Sequence, residues 1–162
     1  MRAAGVETDV GAGRTEQKGS TLKNDVQITP HFRLSEFEDR LEHGLVVHDP
    51  ALSLRLELLR FLVRRQTMMP YRIIVTSGTR TERSNQILAR QLGWLGEGGL
   101  VSPQSRHLPK FAGIAADIQA IIEDSDQRLP SSQLLSLAST VFPYCKAIDQ
   151  ASIHVDLEER PC

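Results

Sequence analysis

Between Asp49-Pro50 and Pro70 the chain carries a leucine-rich run at helical spacing, and directly after Pro70 comes Tyr71-Arg72-Ile73-Ile74-Val75-Thr76. This junction constrains the fold more than any other feature. Proline has no N–H to donate and disfavours helix in the residue before it, so the helix must end by Pro70. The run that follows is β-branched and of strand length. A helix that passes at once into a strand is expected to pack on the sheet that the strand joins. Asp49 is the expected N-cap and Pro50 the first helical residue. Leu52, Leu56, Leu59 and Val63 fall on one side, and Leu54, Leu58 and Leu62 widen that stripe, so the helix is expected to be largely buried.

The rest of the chain extends the same pattern. Ordered structure is expected from His31-Phe32. Ser35 with Glu38 reads as a capping box opening a helix that carries Phe37 and Leu41 on one face and ends at Gly44. Ser77-Gly78 breaks the first strand, and a further helix runs through Asn85, Ile87, Leu88 and Leu92. The glycine-dense segment Gly93 to Gly99 opens a loop to about Ser105. It lacks the Lys and following Ser/Thr of a phosphate-binding loop, so a nucleotide site is not read there. Ile114–Ile118 reads as a strand, and an acidic turn covers residues 123–126. Pro130-Ser131 opens a helix through Leu134, Leu135, Leu137, Ala138 and Val141. Tyr144–Ile148 and Ile153–Leu157 read as strands joined by Asp149-Gln150-Ala151. The expected class is α+β, a small antiparallel sheet with helices packed on one side. Residues 1–29 are small, polar and charged without an aromatic, and are expected to form a flexible arm before a domain at 30–162.

Length and charge narrow the function. The 162 residues suit one domain. A net charge of -1, from 19 Lys+Arg against 20 Asp+Glu, offers no basic excess for a nucleic-acid backbone. No apolar run is long enough to span a bilayer, and the N-terminus has no secretory apolar core. The chain is therefore expected to be cytoplasmic at synthesis. Two cysteines, Cys145 and Cys162, make neither a disulfide framework nor a Cys-rich zinc site. A metal site would have to use histidines and carboxylates.

Strand alternation points to such a group. In Ile153–Leu157 the apolar residues share one face, and His154 and Asp156 the other. In Ile114–Ile118, Asp117 and Ala115 lie opposite the isoleucines and Ala116. If these strands are neighbours, one sheet face gathers His154, Asp156 and Asp117, and His107 in the preceding loop can close over it. Such a face is either solvated or a site. Two histidines and an aspartate suit Zn²⁺ and leave a fourth position open, the mark of a catalytic rather than a structural centre.

Four ordered segments then resemble a known family. His31-Phe32-Arg33-Leu34-Ser35-Glu36-Phe37 is similar to the opening of the zinc D-alanyl-D-alanine carboxypeptidases, within the lysostaphin, D-Ala-D-Ala-peptidase and hedgehog superfamily. Ser77-Gly78-Thr79-Arg80 with Asn85 resembles their Ser-Gly-Tyr-Arg segment and downstream Asn. Ser105-Arg106-His107, then Gly113, Ala115 and Asp117, resembles Ser-x-His-x-x-Gly-x-Ala-x-Asp, and Ile153-His154-Val155-Asp156 resembles the closing His-Val-Asp. The resemblance covers residues 30–160. It implies a hedgehog/D-Ala-D-Ala-peptidase-like fold and a Zn²⁺ ion held by His107, Asp117 and His154. It also implies a cleft lined by Arg80 and Ser105, with Asn85 in support; Asp156 either orients a ligand histidine or sits in solvent. The implied activity is hydrolysis of D-Ala-type bonds in peptidoglycan peptides, as in a phage wall-degrading enzyme; the alternative is a non-catalytic wall-binding or structural module. The chain departs from the family pattern in three places. Leu108–Ala112 lengthens the interval after His107, and Thr79 replaces Tyr. Ala151 stands where relatives carry a general base, which leaves Asp149 as the candidate. His31, His43 and His48 read as structural or surface residues, and Arg106 and Lys110 as solvated. Trp94 reads as a core anchor or a lid.

Overall fold

The structure, a computed structural model, describes residues 25–96 and 98–159. The expected arm therefore lies outside the described residues up to 24, as does Cys162. Residues 25–29 sit against the domain. Gln27 forms a bridge with Arg33, and the Thr29 hydroxyl donates to Glu57 Oε1 at 2.6 Å.

Three helices and four strands follow: α1 (Pro50–Thr67), β1 (Tyr71–Ser77), α2 (Glu82–Leu92), β2 (Ala115–Ile122), α3 (Ser131–Ala138), β3 (Tyr144–Ala147) and β4 (Ser152–Asp156). The strands form one open antiparallel sheet in the order β1-β2-β4-β3. Its apolar face carries Ala116, Ile118, Ala120, Ile153 and Val155. These pack with Leu52, Leu56, Leu59 and Val63 of α1 and Leu134 and Ala138 of α3 in one core. The α+β expectation is met in its coarse form. The second helix departs from it: Leu88 and Leu92 of α2 line a cleft with Asp117 and His154, on the polar face of the sheet.

Two local expectations are corrected. The helix expected from Ser35 is a single 3-10 turn, Leu34–Phe37. Carboxylates take the N–H groups that a helix would use: Glu36 accepts from Arg33, Glu38 from Gly44, and Asp39 from Leu41 and Glu42. Side chains bonding nearby backbone in this way compete with helix. Phe37 is buried while Leu41 faces solvent. In α1, Asp49 caps Ala51 N–H as expected, at 2.8 Å, and Leu52, Leu56, Leu59 and Val63 are buried. Leu54 and Leu58 are exposed and Leu62 is half-buried. At 100° per residue, Leu54 and Leu58 stand nearly opposite the sheet-facing stripe.

β2 is longer than expected and begins one residue later. Gly113 leads into it with φ +71°, a region that L side chains rarely adopt, and a Cβ there would overlap the Val47 carbonyl. Burial pushes the Cys145 thiol up to about 11, so it stays protonated at neutral pH. Among the described residues no helix is long and apolar enough to cross a membrane.

Candidate metal centre

Strand pairing builds the first part of the site. β2 and β4 set Asp117 directly opposite His154, so both side chains rise from the same face. The β3–β4 register adds Lys146 beside His154 and Tyr144 beside Asp156. His107 reaches this face from the connection between α2 and β2. Its backbone is held there by Arg80 N–H, which donates to the His107 carbonyl at 2.7 Å.

The ring of His107 is oriented by a backbone group. Nδ1 lies 2.7 Å from the Gly78 carbonyl. A carbonyl only accepts, so Nδ1 carries the proton and the Nε2 lone pair points inward. Nε2 lies 3.1 Å from Asp117 Oδ1 and 3.3 Å from His154 Nδ1, and His154 Nδ1 lies 2.9 Å from Asp117 Oδ1. On the far side of the His154 ring, Nε2 is 4.0 Å from Asp156 Oδ2, and Asp156 is fully buried. His107 thus has a hydrogen-bonded partner behind it that turns Nε2 toward Asp117, and Asp156 sets a carboxylate behind His154.

Electrostatics match this geometry. Burial raises the Asp117 pKa, but the charge and hydrogen bonds of His107 and His154 outweigh it and hold the carboxyl far below the usual carboxylate range. Asp156 is likewise held low. Burial opposes ionisation, and the His154 bond, Glu158 N–H and the Arg106 charge prevail. His154 Nδ1 donates to Asp117 Oδ1 in one tautomer and turns a lone pair inward in the other; in the second, the His107 and His154 nitrogens and the Asp117 oxygen form a donor set for a cation. One ligand atom from each of His107, Asp117 and His154 lies within 4.8 Å of the others, so the group could bind a metal ion. Three protein donors leave a position open to the cleft.

Comparison with family models, with curated proteins and with solved structures found no match.

The cleft over the triad holds about 280 Å³, at the low end for a small-molecule site. It is lined by Arg80, Ser105, Arg106 and Lys146 and, on one wall, by Leu88, Leu92, Leu95, Leu100 and Ile148. Arg80 is held by the Ser77 hydroxyl at 3.1 Å and Asn85 Oδ1 at 3.4 Å, and stands 3.6 Å from Asp117 Oδ2. Asn85 Nδ2 donates to the Ser102 carbonyl, which ties α2 to the loop. Burial lowers the Arg80 pKa and the charges of Asp117 and Asp39 oppose the change. A guanidinium stays protonated under any such shift.

The structure brings together Arg80, Ser105, His107, Asp117 and His154, with Asp156 behind them. Asp149 is not brought in. It is exposed in the β3–β4 turn, and its Oδ1 accepts from Ala151 N–H at 2.8 Å and Ser152 N–H at 2.7 Å. These bonds lower its pKa. It is a turn aspartate, and it is not among the residues lining the cleft. Arg106 is corrected as well: its Nε lies 3.6 Å from Asp156 Oδ2, its NH2 2.7 Å from Glu158 Oε2, and its guanidinium sits 4.6 Å over the Phe111 ring. The lengthened interval after His107 is taken up by a 3-10 turn, Pro109–Phe111, that ends at Ala112 with φ 56°. Thr79 is buried, and its hydroxyl bonds the Val47 backbone rather than the cleft. Trp94 is half-buried and pairs with Val101; the loop shows Leu95 and Leu100 to the cleft. His31 bonds Glu57, and His48 stacks on Phe37. Tyr144 and Lys146 escaped the sequence reading, although the alternation Tyr144-Cys145-Lys146 carries the signal.

Proposed function

We propose that the chain is a zinc-dependent hydrolase of peptide bonds, with His107, Asp117 and His154 holding the metal and peptidoglycan D-Ala-type peptides as substrate. The observation that carries this reading is the inward-turned triad at the floor of a cleft. The four-segment resemblance to zinc D-alanyl-D-alanine carboxypeptidases supports the substrate class. The donor set fits: two imidazole nitrogens and a carboxylate oxygen suit zinc and other divalent first-row metals. A zinc ion there would act as a Lewis acid toward the scissile carbonyl and would acidify water.

The chain's own residues then have separable roles. Asp117 and Asp156 keep negative charge around the histidines. Arg80, with its guanidinium fixed by Ser77 and Asn85, offers paired N–H donors to a substrate carbonyl or carboxylate. Lys146 adds a second cation on the same face, and the leucine wall takes the apolar part of the substrate. Hydrolysis would place hydroxyl on the carbonyl carbon and a proton on the leaving nitrogen.

A second reading is favoured by one observation. Among the described residues lining the cleft, Asp117 is the sole carboxylate, and Asp149 is bound into its turn. That composition suits a non-catalytic wall-binding or structural module. One experiment separates the readings. Metal content is measured by elemental analysis on the wild type and on His154→Ala, and the metal-loaded wild type is incubated with cross-linked wall peptides. One equivalent of zinc, lost in His154→Ala, together with release of D-Ala or cross-link fragments supports the hydrolase. Peptide binding without cleavage favours the module. No metal in the wild type after reconstitution overturns the hydrolase and favours the module, and a different divalent ion overturns zinc alone.

A further inference from the structure

Residues 47–49, just before α1, form a strap between the two segments that lead into the triad. Val47 N–H donates to the Thr79 hydroxyl at 2.8 Å, and that hydroxyl donates to the Val47 carbonyl at 2.9 Å. Asp49 N–H donates to the Gly113 carbonyl at 3.2 Å. Thr79 follows Gly78, whose carbonyl orients His107, and Gly113 leads into β2 and Asp117. His48 stands at the middle of the strap. Its ring packs on Phe37 with centroids 4.4 Å apart, and the Phe37 carbonyl accepts from Thr79 N–H at 2.8 Å.

The surroundings of the ring fix its state. Ser53 Oγ donates to the Pro50 carbonyl at 3.0 Å, so it accepts from His48 Nε2–H at 3.2 Å. Nδ1 then carries a bare lone pair. Among the described residues it is the buried side-chain polar atom without a hydrogen-bond partner. A proton on Nδ1 would put a charged N–H where no acceptor stands, which costs more than a bare lone pair. Other charges nearby are committed. Glu36 and Glu38, beside Phe37, accept from Arg33 and Gly44 N–H, and Lys110, near Gly113, donates to Gln104. Burial lowers the His48 pKa, and the charge of Asp49 opposes the change without prevailing.

We propose that His48 is an acid-sensitive latch: protonation of its ring frees the strap from Phe37 and Gly113 and slackens the segments that present His107 and Asp117. As pH falls through about 6.5, the unfolded chain takes a proton that the folded one refuses. This part of the stability is therefore full above about pH 6.5 and is lost below it, toward the folded value. The effect on the triad rests on its reading as a metal centre; the latch itself does not.

Urea midpoints of the full chain without metal, from about pH 8 to about pH 5, test the latch. His48→Gln places an amide nitrogen where Nε2 stands and takes no proton. The wild-type midpoint is expected to fall more steeply below about pH 6.5 than that of His48→Gln, the other histidines titrating alike in both. Ring NMR signals, with His48 assigned by its loss in the variant, are expected to show the Nε2–H tautomer and protonation below the ordinary histidine value. Chelator competition is expected to show zinc affinity falling about tenfold more in the wild type than in His48→Gln between about pH 7.5 and about pH 5, the equivalent of one pKa unit. His48→Phe, which keeps the stack on Phe37, replaces His48→Gln if far-UV circular dichroism shows that the latter does not fold. Parallel urea curves, or a His48 ring that protonates at or above the ordinary value, overturn the latch. Diverging urea curves with equal loss of zinc affinity overturn its hold on the triad. A wild type that binds no zinc removes the metal-centre reading, and the urea curves then decide the latch alone.

Discussion

The carbonyl of Gly78 determines which nitrogen of His107 faces Asp117, and glycine is needed there because a Cβ would run into the Phe37 backbone. The same economy holds at Asp156, which is fully buried behind His154. Removing its charge leaves the ring in place and weakens its hold on the correct tautomer. Asp156→Asn is expected to lower metal affinity about 10–100-fold, measured by competition with a chromogenic chelator. Asp39 is the other residue that acts beyond its neighbourhood. It is buried and accepts from Leu41, Glu42 and Thr81 N–H and from the Ser84 hydroxyl. Burial raises its pKa, but these donors outweigh it and hold the folded value below the usual aspartate range. The unfolded chain then binds a proton that the folded one refuses. The contribution of Asp39 is therefore full above about pH 4 and is lost as pH falls through the folded value. Asp39→Asn should flatten the acid limb of stability against pH, read from urea midpoints, and should cost about 2–3 kcal/mol near neutrality.

At the scale of elements, α1 shows what periodicity can and cannot say. The 3.6-residue repeat and the Asp49-Pro50 start were legible, and so was the stripe from Leu52 to Val63. Leu54 and Leu58 extend the leucine pattern of the buried stripe but are exposed, because a leucine-rich helix looks the same whether one face or two are covered. The number of layers around it decides, and here there is one sheet on one side. Leu56→Ala should cost about 3 kcal/mol, since its side chain is wholly enclosed. Leu54→Ala should change the stability of the monomer by no more than about 0.5 kcal/mol. Equilibrium denaturation of both variants at low protein concentration checks the contrast. The segment after His31 failed as a helix for a different reason. Glu36, Glu38 and Asp39 satisfy backbone N–H groups locally, and the register of those bonds is invisible until the chain has folded around them.

Across the whole molecule, the triad joins parts that are otherwise separate. Asp117 and His154 belong to the sheet, whereas His107 belongs to the long connection that also carries the cleft loop. A metal bound there cross-links loop to sheet and stabilises the native state by mass action, about 2.7 kcal/mol when the ion stands a hundredfold above its dissociation constant. Chelation should lower the melting temperature of the metal-loaded wild type by several degrees and leave His154→Ala unchanged. Equal melting of both with and without chelator would remove the site from the account of stability. The cleft also shows why Asp149, the candidate from chain position, is not among its lining residues. Asp149 lies five residues before His154, but the tight β3–β4 turn takes its carboxylate as an acceptor and turns it away from use.

The sequence by itself determined the local grammar of this protein. Proline positions, β-branched runs and alternation within strands follow from backbone sterics and from the two faces of a pleated strand, so they need no knowledge of distant residues. They placed β1, α1 and the polar faces holding Asp117, His154 and Asp156. Tertiary structure alone decided which faces met. The pairing of β2 with β4 put Asp117 against His154, the Gly78 carbonyl turned His107 inward, and β3 brought Lys146 and Tyr144 alongside. Among the described residues it also left Leu54 and Leu58 of α1 exposed. The contacts that bring Gly78 to His107 and Asp117 to His154 join residues 29 and 37 apart in the chain, and a chain read in order carries no measure of such distances.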